Sequence, residues 1–184
     1  QGMMMRDQAP EEGEAAAEGV PAAGVPGRPV RLDEQFYQLG MISLRAGAYN
    51  QAADAFSQVV QYAPTRRAEA EFAEGLSQLL AGSYYTSALL LARSLEAQPS
   101  QWPTPGPLWD AVTKGDTLKK RQAELESILA ETPNSPAHAF DLAWILIAQG
   151  HGKEGLAHLK VAAKGDLYGK AIEILRTKAE AEKQ

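Results

Sequence analysis

His138, His151 and His158 are the only imidazoles and the chain contains no cysteine, so metal or acid–base chemistry beyond carboxylates would have to pass through these three. His151, Glu154 and His158 stand at i, i+3 and i+7 and could share a helix face. A zinc-binding helix instead needs two His four residues apart with a Glu beside the first. His151 also falls among turn glycines, and His158 reads as an exposed helix residue. Gly150-His151-Gly152-Lys153 invites a phosphate-loop reading, but no Gly stands five residues before Gly152, and Glu154 occupies the Ser or Thr place. Carboxylates fall on expected solvent faces, and no pair of them is tied to a cleft. A serine triad would need a strand-to-helix elbow, which a helical pattern does not supply. The sequence therefore predicts no catalytic residue, no metal ligand set and no cofactor, and reads as a non-enzyme.

Charge narrows the partners further. Eighteen Lys and Arg against 23 Asp and Glu leave a formal net charge of -5, which disfavours duplex nucleic acid, because neutralising phosphates requires a clustered surplus of cations. The one basic run, Lys119-Lys120-Arg121, reads as a solvated helix face. Between Glu74 and Arg93 lie 18 uncharged residues, near the minimum for a membrane span. Gly82-Ser83-Tyr84-Tyr85 interrupts them with a turn, so no span is expected. Absence of cysteine is compatible with either redox compartment. A targeting segment ahead of Gln1 would leave no trace, and localisation is left open.

The elements that would position any site follow from an echo. Gly40, Gly47, Tyr49 and Pro64 recur as Gly75, Gly82, Tyr84 and Pro99, each 35 residues later, and Leu44/Leu79, Ala46/Ala81 and Ala53/Ala88 share that offset. A period of this size marks stacked supersecondary units. Residues 1–31 are rich in Ala, Gly, Pro and Glu and read as a flexible acidic arm, with Met3, Met4 and Met5 its one sticky point. Asp33 is the expected N-cap of a first helix carrying Phe36, Leu39, Gly40 and Ser43 along one stripe. Gly40 implies close approach of the next helix, with Ala52 the expected visitor. That second helix follows a turn at Gly47, carries Ala52, Phe56 and Val59, and stops at Pro64.

Phe36, Leu39, Gly40, Gly47, Tyr49, Ala52, Phe56 and Pro64 together resemble the tetratricopeptide repeat signature, with Ser43 and Val59 as departures. A second unit keeps Gly75, Gly82, Tyr84 and Pro99 but has Glu71, Glu74, Ser87 and Leu91 at other signature places. Its period exceeds the family's usual 34 by one, a residue absorbed near Thr65-Arg66-Arg67. In a third, degenerate unit Pro103, Pro105 and Pro107 leave room for only a short first helix to about Lys114. Its second helix runs from Thr117 to Glu131 with Leu118, Leu125, Ile128 and Leu129 buried, and Pro133 follows. A fourth opens with Ser135 as N-cap and Pro136 at the first helical position, runs through an apolar helix to Gly150, and closes with Gly155, Leu159 and Ala162. Leu167 stands where a closing Pro would fall, and residues 168–183 form a capping helix with Ala171, Ile172 and Leu175 inward. The units are about 33–66, 68–101, 102–134 and 135–167. The resemblance implies an all-α, right-handed α-solenoid.

It also implies a concave face lined by the first helices: Tyr37, Met41 and Leu44, then Phe72, Leu76 and Leu79, then Phe140, Trp144 and Ile147. Two readings stand. These apolar side chains form a groove for a partner's peptide or amphipathic helix, or they pack on one another, or beneath the third unit or the arm, as core. Family members that clamp a chaperone's C-terminal carboxylate use Lys and Asn where Tyr37 and Met41 stand, so that subclass is not expected. The resemblance points to a non-catalytic protein-interaction module, an adaptor or assembly scaffold. Alternatives are a structural subunit that self-associates or sits in a larger assembly, or, third, an apolar-ligand carrier or enzyme closed by the proline-rich unit.

Overall fold

The structure, a computed structural model, describes residues 31–100, 102 and 106–181; the arm expected at 1–31, all but its last residue, lies outside them, as do Pro103 and Pro105. Among the described residues the fold is all-α: α1 (Leu32–Arg45), α2 (Tyr49–Tyr62), α3 (Arg67–Ala81), α4 (Tyr84–Ala97), α5 (Pro107–Thr113), α6 (Thr117–Glu131), α7 (Pro136–Ala148), α8 (Gly152–Ala162) and α9 (Gly169–Ala181). A 3-10 turn at Pro64–Arg66 takes up the extra residue between α2 and α3. No helix of the described residues is long and apolar enough to cross a membrane.

Three helix pairs, α1–α2, α3–α4 and α7–α8, pack as tight hairpins, and α3 lies alongside α2 to join the first two. Their turns are made by Gly47, Gly82 and Gly150 at φ of 77°, 85° and 83°, a left-handed backbone that costs glycine nothing. Within the first pair the notch at Gly40 receives Phe56 rather than Ala52. A Cβ on Gly40 would stand 2.6 Å from the Phe56 ring, and 35 residues on, a Cβ on Gly75 would stand 3.0 Å from Leu91. In the third pair the notch moves to the second helix, where Gly155 faces Ile147. The repeat thus reproduces a small-against-large contact and not merely a composition.

Two expectations shift. Asp33 is not the N-cap of α1, which is Arg31; Asp33 sits in the first turn, buried, where Arg31 and Arg66 both donate to its Oδ2, at 2.8 and 3.1 Å. The same Arg66 forks onto both carboxylate oxygens of Glu69 at 2.9 and 3.0 Å and lies over the Tyr37 ring. The guanidinium therefore holds the start of α1 against the entrance of α3.

The larger shift concerns the third unit. Its helices form where expected, yet α5 and α6 barely touch each other, and α7, not α5, packs against α4. Instead α5 lies against α1 and α3, and α6 lies against α3 and α7. Helices α5 and α6 are thus laid against the first helices of the hairpins rather than stacked in series. The cause is in the sequence of α7: ten of its 13 residues are buried, so it must be enclosed by α4, α6, α8 and α9. Ser135 precedes its first residue, Pro136, as expected, and α9 closes the array with Tyr168 stacked on Phe140 at 4.9 Å.

Gly40→Ala should destabilise the fold by about 1–3 kcal/mol, because the fully buried Phe56 ring has nowhere to retreat. Gly169→Ala, which meets nothing within 4 Å at the start of α9, should be neutral or slightly stabilising. Urea unfolding of the two variants beside the parent chain measures the difference.

Candidate functional site

The nine side chains expected to line an open concave face do come together, but as core. Met41, Leu44, Phe72, Leu76, Leu79, Phe140, Trp144 and Ile147 are all buried, and Tyr37 is half-buried, edge-on to Phe56. Tyr168 stacks on Phe140, and the chain's own inserted segment covers the part around Trp144. Trp102, ahead of α5, and Trp109, within it, meet Trp144 with ring centroids 5.6 and 6.1 Å apart, and Phe72 completes the group at 6.1 Å. All three tryptophans of the chain share this cluster. Lys178 of α9 lies over the Trp102 ring at 4.8 Å. In this structure these residues therefore offer no groove to a partner. Apolar surface on three neighbouring helices is most readily removed from water by residues tethered beside it.

The remaining signature residues serve turns and seams. Tyr49 donates to Thr117 Oγ1 at 3.0 Å, fastening α2 to α6, and Ala52, Phe56 and Tyr84 are buried. Pro64 opens the 3-10 turn. The basic run divides: Lys119 and Lys120 face solvent, whereas Arg121 turns inward, donating to the Leu80 carbonyl at 2.9 Å and to Glu124. His151 and Glu154 are exposed and His158 is partly covered. No group of three or more His, Cys, Asp or Glu among the described residues converges as a metal site would require.

One ionisable group escaped the sequence reading. Asp141, the sole charged residue of α7, is fully buried where α7 meets α4. Ser87 Oγ donates to its Oδ1 at 3.1 Å, and its Oδ2 has no hydrogen-bond partner. Burial pushes this carboxyl well above the usual carboxylate range, with Ser87 pulling weakly the other way. His138, one turn before it, is held between Tyr84 and Tyr85 and shares a 2.6 Å hydrogen bond with Ser135. The nearby shallow depression is lined by Tyr85 and the residues from Thr132 to Pro136, and reaches neither Asp141 nor His138. Asp141 is enclosed, whereas His138 is only partly covered. The signal of Asp141 in the sequence was an acid inside an otherwise apolar helix.

A second carboxylate is perturbed in the α2–α3–α4 region. Burial and the neighbouring Glu71 push Glu74 up to about 7, partly opposed by Arg93. Glu71 itself is buried, accepting from Arg93 at 2.7 Å and facing Arg67 at 3.8 Å.

The open apolar surface lies at the start of the array, where no unit precedes α1 and α2 among the described residues. Leu39 is 50% exposed, Ile42 62%, Tyr62 49% and Leu32 39%; Phe36 stacks on Tyr62 at 5.4 Å. Between the two helices runs a groove of about 330 Å³, lined by Phe36, Leu39, Ser43, Asp54, Ala55 and Gln58 among others. On the stripe that Leu39 shares with Phe36, Gly40 and Ser43, Gly40 and Ser43 are buried while Leu39 stays half exposed, with no described helix lying over it. Shifting by 35 residues turns Leu32, Phe36, Leu39 and Gln58 into Arg67, Glu71, Glu74 and Arg93. The charged set lies inside the array and the apolar set at its end, the reverse of what solubility asks of a terminal unit.

Comparison with protein-family models, with curated proteins and with solved structures finds no match to this chain.

Both raised carboxyls bind their protons more tightly folded than unfolded, so their stabilising contribution is complete below about pH 4 and is lost as pH rises through the folded values. Glu74→Gln should flatten the fall in unfolding free energy between about pH 4.5 and 7, by on the order of 1 kcal/mol after solvent screening. Asp141→Asn should flatten it further into the neutral and alkaline range. Urea titrations at pH 4, 6 and 8 would show the change in slope, and parallel curves for parent and variants would refute it.

Proposed function

We propose that this chain is a non-catalytic protein-interaction module, an adaptor or assembly scaffold built on tetratricopeptide-like hairpins in a right-handed array. The observation that carries the reading is the exposed, charge-poor apolar surface of α1 and α2. Between Glu34 and Arg45, α1 has no charged residue, and α2 has only Asp54. Interface centres are depleted of charge and enriched in aromatic residues, as here with Phe36 and Tyr62. The partner is a protein presenting a helical or extended apolar segment. This moves the proposed contact from the concave residues, which are buried or half-buried, to the end of the array. A structural subunit held in a larger assembly would use the same surface. No described cleft gathers acid, base and nucleophile, so nothing in the site favours the enzyme or carrier reading.

A photo-crosslinking residue placed at Leu39 should trap protein adducts in cells that natively make the chain, and the same residue at exposed Glu173 on α9 should not. Equal labelling at the two positions, or none at Leu39, would overturn the assignment.

A further inference from the structure

We infer that Ser87 and Asp141 form a proton-dependent latch between α4 and α7: while the Asp141 carboxyl is neutral the two helices stay docked, and its ionisation parts them. The inference is independent of what binds at the α1–α2 end. It starts from two residues that break their own patterns. Ser87 stands 35 residues after Ala52, where the first unit has a small apolar side chain, and Asp141 is the sole charged residue of α7. Both are completely buried. They meet each other, Ser87 Oγ donating to Asp141 Oδ1 at 3.1 Å between positions 54 apart in the sequence. Two local exceptions that coincide in space act as one feature, a polar fastener at the join of α4 and α7.

The fastener accommodates a neutral acid and has little to hold an anion. Oδ2 of Asp141 has no hydrogen-bond partner among the described residues, and the cations on the helices enclosing α7 are engaged elsewhere or exposed. On α4, Arg93 pairs with Glu71, while Tyr84 and Tyr85 flank His138. On α6, Arg121 is taken by the Leu80 carbonyl and Glu124. On α8, Lys153 and Lys160 are exposed and His158 is partly covered. On α9, Lys170 donates to the Glu96 carbonyl, Arg176 pairs with Glu173 and Lys178 lies over Trp102. Tyr168, just ahead of α9, is raised first by burial and then by the Asp141 charge, so its hydroxyl stays neutral. A carboxylate in this place would be a buried charge with one hydroxyl donor, a state relieved by admitting water and moving the walls apart. Those walls belong to two hairpins, each closed by its own contact: Leu91 against Gly75 in α3–α4, and Ile147 against Gly155 in α7–α8. The join between the hairpins is therefore the part that gives. Burial holds the Asp141 proton above the usual carboxylate range, so the latch is closed in acid and its contribution is lost as pH rises through the folded value. Burial lowers His138, which is already neutral there.

Hydrogen exchange of the full chain, read by mass spectrometry at about pH 6.5 and 8.5 and corrected for the intrinsic rate, tests this. Short helices deprived of packing are marginal, so amides of α4 and α7 should lose protection as pH rises, by up to about tenfold per unit for release of one proton. Those of α1 and α2 should keep theirs. Asp141→Asn should abolish the loss, although the Glu74 titration remains in place. Ser87→Ala, which matches the first unit at Ala52, should fold and should exchange severalfold faster in α4 and α7 already at the lower pH. Equal loss of protection in α1 and α2 would show whole-chain unfolding and overturn the latch. So would a pH response that survives Asp141→Asn, or exchange in α4 and α7 that Ser87→Ala leaves unchanged.

Discussion

Helix α7 has no polar side, and the arrangement of the chain follows from that. A helix buried over ten of 13 residues needs neighbours all round, and α4, α6, α8 and α9 supply them. Because α4 is taken by α7, α5 and α6 do not stack on it as a hairpin and lie against α1, α3 and α7. Trp144 then meets Phe72, Trp102 and Trp109. Burying large apolar side chains is worth roughly 1.5–3 kcal/mol each, so the cluster outweighs the regularity of the repeat. Polar groups are carried inside at a cost, among them the Trp144 Nε1–H and the Asp141 carboxyl, which has one oxygen unpaired and its proton retained by burial.

Around that centre the hairpins are held by contacts that the repeat supplies twice. Gly40 against Phe56 and Gly75 against Leu91 let the paired helices approach closely, and left-handed glycines turn the chain between them. The polar fasteners are placed where elements meet end to end. Arg66 ties the start of α1 to that of α3, and Arg121 donates to the Leu80 carbonyl near the C-terminus of α3. Each uses the fixed fork of a guanidinium to satisfy several acceptors at once.

The first-helix side is filled, while the start of the array is left apolar. A groove lined by first helices would select extended peptides by side-chain pockets. The contrast between Leu32, Phe36 and Leu39 at the end and Arg67, Glu71 and Glu74 one unit inward is a contrast in what lies next to each. Inside, Glu71 pairs with Arg93 across α3 and α4 and faces Arg67 within α3; at the end, no described helix is present to pair with.

Local chemistry decided much of this protein before folding: helix limits, turn glycines, the 35-residue echo, the short α5 after its prolines and the apolar α7 are all readable because they depend on neighbours within a few residues. The nine concave candidates were also found as a set, since helical spacing brings them to one side. Whether that side faces solvent was beyond the sequence, because Trp102 and Trp109 cover it from residues far along the chain. The same is true of Phe56 replacing Ala52 at the Gly40 notch, of Asp33 serving as an ion-pair acceptor rather than a cap, and of Leu39 standing exposed. Burial is a property of what other elements occupy, and no periodicity within one helix specifies it. The sequence by itself determined which helices form and which faces are apolar; only the tertiary structure decided which of those faces is covered and which is left open.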